Sequence, residues 1–175
     1  MTQLTGFLWF VLMLVPLIYL QRLLHREIQA VFLIITRNAQ LTMGIFQFIF
    51  LPGVFIHEAS HYVMAKILRV PTGRFSILPK PLPDGRLQLG YVETAHTDIV
   101  RDSLIGAAPL IIGTLFVAYL SIYQLEMRVV WDVLRDGKYN LFWMGIRALP
   151  NVPDFYVWFY LTFAISSTMM PSESD

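Results

Sequence analysis

The sequence has no cysteine. Disulfides and thiolate metal ligands are both excluded, so any metal the chain holds must sit on nitrogen and oxygen. Charge is scarce as well. Charged residues are 14% of the 175, against about a quarter in an ordinary soluble domain. The formal net charge of +1 gives no electrostatic case for a nucleic-acid partner. No internal repeat or low-complexity tract breaks the chain. What it does have is apolar surface: 56% of residues are hydrophobic and the mean hydropathy is +0.58. That composition predicts a multi-pass integral membrane protein of one domain, residues 1–175, with the lipid bilayer as its surroundings.

Four apolar segments predict about four transmembrane helices: 4–24, 41–68, 103–125 and 156–170. The first has no basic region before it and no evident cleavage site after it, and reads as a retained helix. Residues 27–37 are apolar at their centre but too short to span. They either continue the first helix or lie in the interface. The third segment is expected to open on Gly106-Ala107-Ala108-Pro109, small residues that allow close helix contact. Residues 126–153 hold two apolar runs around Arg135-Asp136-Gly137-Lys138, which suits two short interfacial helices. The 13 basic residues divide seven against six between the two sides and set no orientation.

The stretch 71–98 differs. Leu87, Leu89 and Tyr91 alternate with polar or small residues, which is strand periodicity. Residues 75–78 are expected to pair with them across the turn residues 81–85. The fold class is thus an all-α membrane protein with a small β-hairpin between its second and third membrane helices.

The second membrane segment carries His57-Glu58-Ala59-Ser60-His61. On a helix, residues four apart share a face, so both imidazoles can address one ion while Glu58 stands beside them to handle protons. Two histidines and a glutamate are costly in an apolar span, and ionisable groups at membrane depth usually mark function. The ion expected of such a pair is Zn2+. A catalytic zinc needs a third protein ligand and an open position for water. Asp175, Asp154, Glu173 and His96 are the candidates. Glu93, Asp98 and Asp102 read as solvated charges of a loop and a helix start, and Gln47 lies too far along the helix.

Together these features resemble the site-2 protease family of intramembrane zinc metalloproteases. His57-Glu58-x-x-His61 followed by Ala65 matches that family's H-E-x-x-H-x-x-x-A pattern. Ala107-Ala108-Pro109 resembles the small-Gly-Pro opening of its next core helix. Thr168-Met169-Met170-Pro171 to Asp175 resembles its N-x-x-P segment leading to the ligand aspartate. The chain departs from the pattern at Thr168 and Ile112, where the family has asparagine. The resemblance implies zinc on His57, His61 and Asp175, and Glu58 as the base that takes a proton from water and passes it to the leaving amine. It also implies a membrane-embedded or membrane-proximal peptide substrate. Part of that substrate is expected to bind as an added strand, along main-chain groups of Gln88, Gly90 and Val92. The alternative is a membrane interaction subunit of a larger complex that keeps a metal site or its remnant.

Overall fold

In a computed structural model of the chain, residues 3–78, 80–81, 87–88 and 90–169 are described. The chain divides into two compact units, Met1–Ile49 and Phe50–Asp175, with the boundary inside a helix.

The first unit is built on α1 (Gln3–Thr36) and the start of α2 (Ala39–Ile67). Residues 27–36 continue the first helix, which decides between the two readings of that segment. Arg37 turns the chain at φ 49°. Asn38 then caps α2: its Oδ1 accepts the backbone N–H groups of Gln40 at 2.9 Å and Leu41 at 3.2 Å, two of the donors a helix start leaves open. Beyond the turn the two helices touch. Thr36 and Thr42 share a hydroxyl hydrogen bond of 2.8 Å, and the His25 ring stands edge-on to Phe46.

In the second unit α2 ends in a left-handed cap. Arg69 takes φ 57°, and the N–H of Val70 reaches back to the carbonyl of Ala65 at 2.8 Å. This closure brings Val70 onto Ala65, and both pack with Ile105 as one buried cluster. Two short antiparallel ladders follow. Strand β1 (Thr72–Ser76) pairs with β4 (Tyr91–Thr94), with Phe75 opposite Val92, Ser76 opposite Tyr91 and an irregularity between Thr72 and Phe75. Strand β2 (Lys80–Pro81) pairs with β3 (Leu87–Gln88). An antiparallel pairing is present where the hairpin was expected, but its first strand begins at Thr72, not Phe75, and its partner is 91–94, while Leu87 pairs instead with Pro81 in the second ladder. Of the expected turn 81–85, Pro81 is in β2 and residues 82–85 lie outside the described residues.

Helix α3 (Ile99–Tyr119) is capped by Asp98, whose carboxylate accepts the N–H of Arg101. Because the helix starts there, Gly106 to Pro109 lie about two turns inside it and do not open it as the sequence suggested. Asp98, Glu93 and Asp102 are exposed, as expected of loop and helix-start charges. A π-helical turn (Leu120–Gln124) continues α3. Then come α4 (Met127–Arg135), α5 (Tyr139–Ala148), a 3-10 turn (Leu149–Asn151) and α6 (Phe155–Thr168). Gly137, at φ 72°, makes the corner between α4 and α5, where a side chain would be strained. The break at 135–138 thus separates two short helices, as its composition indicates.

Among the described residues two helices are long and apolar enough to cross a membrane: α2, and α3 with its π extension, Ile99–Gln124. Their outer faces carry large exposed apolar side chains, among them Phe48, Leu115 and Tyr123. Helix α6 has 14 residues, about 21 Å at the helical rise, less than the roughly 30 Å of a hydrocarbon core. Lipid tails are as apolar as leucine, so close packing rather than water exclusion must hold such helices together. The second unit supplies that packing through small residues. A Cβ on Gly53 would overlap the Ala164 carbonyl oxygen and Oγ1 of Thr168, and one on Gly113 would overlap the Met169 side chain. Leu120, Ile165 and Met169 form the buried centre there, with Ile56, Val117, Trp158 and Leu161 around them.

Candidate active site

His57, Glu58, Ser60 and His61 are all buried, each at most 7% exposed. That is unusual company for an apolar helix, and each polar side chain has a defined setting. Ser60 satisfies its hydroxyl within its own helix, donating to the Ile56 carbonyl at 2.6 Å. The two histidines lie one turn apart with ring centroids 4.8 Å apart and planes at 77°. Their Nε2 atoms stand 3.2 Å from each other.

His61 is anchored on the neighbouring helix. Its Nδ1 lies 2.8 Å from the backbone carbonyl oxygen of Ile105 in α3. A carbonyl can only accept, so Nδ1 carries the proton and donates it there. In the neutral ring the lone pair is then left on Nε2, the atom that faces His57. This second hydrogen bond is of the kind that fixes the tautomer and orientation of metal-bound histidines. The spacing of the pair also fits a metal. Two nitrogens on one tetrahedral zinc, each at about 2.0–2.1 Å, stand about 3.3 Å apart.

Glu58 faces another way. A step of one residue turns the helix by about 100°, and the hairpin covers that side. A Cβ built on Gly90, just before β4, would lie 2.7 Å from Cγ of Glu58, 2.8 Å from its Oε1 and 3.0 Å from its Cδ. One turn further along, the Tyr62 ring meets Phe75 of β1 edge-to-face at 6.1 Å. The ladder therefore lies along the Glu58–Tyr62 stripe of α2, while the histidine stripe meets α3. Glu58 is nine residues before the end of α2, about 14 Å of helix, so the hairpin reaches well back along the helix it follows.

The other expected site residues are spread between this place and the rest of the unit. Gly90 is at the glutamate. Val92 is in β4, paired with Phe75, and Gln88 is in β3, paired with Lys80. Asp175 and Glu173 lie outside the described residues. The end of α6 that leads to them is beside Gly53, one turn before His57. Asp154 begins α6, about 21 Å from that end, and is exposed, as is His96 in the loop before α3. Among the described residues no group of three or more His, Asp or Glu side chains is placed to hold a metal. Two residues that sequence reading missed are Ile105 and Gly90 in its packing role. Ile105 acts through its main chain, which leaves no mark in residue type. No family model, curated protein or solved structure matches the chain.

Proposed function

We propose that the chain is an intramembrane zinc metalloprotease of the site-2 protease type, in which α1 and α6 also serve as membrane segments, four in all. The observation that carries this reading is the 3.2 Å approach of the two Nε2 atoms, with the His61 tautomer held by Ile105; Glu58 follows His57 in the chain. In this reading His57, His61 and Asp175 hold zinc. The bound metal supplies a Lewis acid for the scissile carbonyl and acidifies water toward neutrality. Glu58 accepts the proton of the attacking water and delivers it to the amine that leaves as the C–N bond breaks. Its burial beside Gly90 shields it from bulk water.

The ladder supports a role in substrate handling. An unwound peptide in an apolar setting costs several kcal/mol for each main-chain group left unsatisfied. Among the described residues each ladder has two strands, and an added peptide strand would pair along an edge of such a ladder. The helices α4 and α5, with Trp131, Tyr139 and Trp143 exposed, suit the membrane interface.

One observation favours the alternative of a metal-keeping membrane subunit without protease activity. The hydroxyl of Thr168, where the family has asparagine, donates within its own helix, 3.1 Å from the carbonyls of Ala164 and Ile165. Its proton is thereby used within α6. Metal analysis and a cleavage assay on purified protein separate the readings. The protease reading expects about one zinc per chain, zinc lost in a His57→Ala, His61→Ala double variant, and zinc kept but cleavage lost in Glu58→Gln. Zinc at full occupancy in the double variant, or undiminished cleavage by Glu58→Gln, overturns it.

A further inference from the structure

We propose that Pro109 is a positioning residue for His61, acting through the carbonyl of Ile105. In a regular α-helix the oxygen of residue 105 accepts the N–H of residue 109, four positions on. Residue 109 is a proline, fully buried inside α3. It has no N–H to give, and its ring crowds the carbonyl four residues back and pushes it off the helix axis. The Ile105 oxygen is thus released from its helical donor and turned outward. The donor it meets is Nδ1–H of His61 on α2, at 2.8 Å.

The segment Ile105-Gly106-Ala107-Ala108-Pro109 owes this role to its proline and not to its glycine, where a Cβ would meet nothing within 4 Å. Its proline opens one carbonyl on α3, and the open carbonyl selects the tautomer of a histidine 44 residues away in sequence. With the proton held on Nδ1, the lone pair stays on Nε2, 3.2 Å from that of His57. A helix with any other residue at 109 offers an N–H that competes for the same oxygen. His61 would then lose its anchor and populate both neutral tautomers.

The use of this arrangement in metal binding rests on the zinc reading given above, but the tautomer is a property of the metal-free chain. The test is Pro109→Ala in the full-length protein, read by 15N spectra of the histidine rings in metal-free protein at a pH where imidazole is neutral. The unaltered protein is expected to show His61 as the Nδ1–H form alone, and Pro109→Ala to show a mixture. The zinc Kd should rise about 10- to 100-fold, the range for loss of a partner behind a metal ligand. The midpoint of thermal unfolding should hold or rise, because alanine is the better helix former. A merely structural role for the proline would move stability and leave the ring spectrum alone. Lactic acid at position 109 provides the rescue. It has alanine's methyl but an ester oxygen in place of N–H, and should restore the single tautomer. An unchanged His61 spectrum in Pro109→Ala, a mixture already present in the unaltered protein, or no rescue by the ester overturns the proposal. If the unaltered protein binds no zinc, the zinc reading fails, and the ring spectra still decide the part played by Pro109.

Discussion

Gly90 and Glu58 are packed so closely that a Cβ on the glycine would stand 2.8 Å from Oε1 of the glutamate. The atoms in the way are the Glu58 side chain itself, so the cost of adding a methyl depends on that side chain. Gly90→Ala should lower the thermal midpoint by about 3–8 °C, the equivalent of moderate overpacking in a chain of this size. In a Glu58→Ala background the penalty should nearly disappear. Gly106→Ala is the control, since a Cβ there meets nothing within 4 Å and no penalty is expected. Thermal unfolding of the unaltered chain and these variants in detergent checks this, and equal penalties in both backgrounds would show that Gly90 does not rest on Glu58.

The end of α6 lies one turn from His57, and the start of α6 does not. Asp175→Ala should therefore weaken zinc binding at least about 100-fold, and Asp154→Ala less than about 2-fold, since a lost ligand costs no less than a lost partner behind one. Competition with a calibrated chelator measures both. The reverse order would move the ligand to the far end of the helix.

The ladder should lose function by loss of main-chain donors. Pro substituted singly at Gln88, Gly90 and Val92 removes one N–H at a time and leaves the rest of the strand. At least one of the three should abolish cleavage with zinc still bound and the thermal midpoint near that of the unaltered protein. Gly90→Pro also presses on Glu58, so Gln88→Pro and Val92→Pro are the cleaner members of the set. Full activity in all three would reduce the segment to a connector.

Gly53 sets the distance between α2 and α6. A side chain there meets the main-chain oxygen of Ala164, which cannot rotate out of the way. Gly53→Val should destabilise the second unit by roughly 1–3 kcal/mol, whereas Gly44→Val, where a Cβ meets nothing, should cost well under 1 kcal/mol. Denaturant or thermal titration in mixed micelles distinguishes the two.

The pair His57 and His61 was legible in the sequence because helical periodicity alone puts residues four apart on one face. The antiparallel pairing was legible in part: alternation at 87–91 is a local signal of strand, but Leu87 and Tyr91 fall in two different strands. The helix that holds His61 in place was not. Its contact is made by the carbonyl of Ile105, and a carbonyl is common to every residue type. Pro109 was visible but misplaced, because a proline near a predicted helix start is ordinarily a first-turn residue. Only with Asp98 as the cap does it fall in the interior. Gly90 was read as one donor on a strand, and nothing local could say that its missing side chain makes room for a glutamate 32 positions earlier. Where α1 ends was open for the opposite reason: 27–37 is apolar enough for two local answers, and both are helical.

The nine residues of α2 beyond Glu58 also bear on lipid. The whole helix is 29 residues, about 43 Å, and the hydrocarbon it would cross is about 30 Å. The surplus is taken up by tilt or by sliding along the normal, each at a fraction of a kcal/mol per ångström of mismatch. The hairpin rests on the helix at Glu58. Where α2 crosses a bilayer, longer or shorter acyl chains therefore move the water boundary along the helix, while hairpin and histidines keep their separation along it.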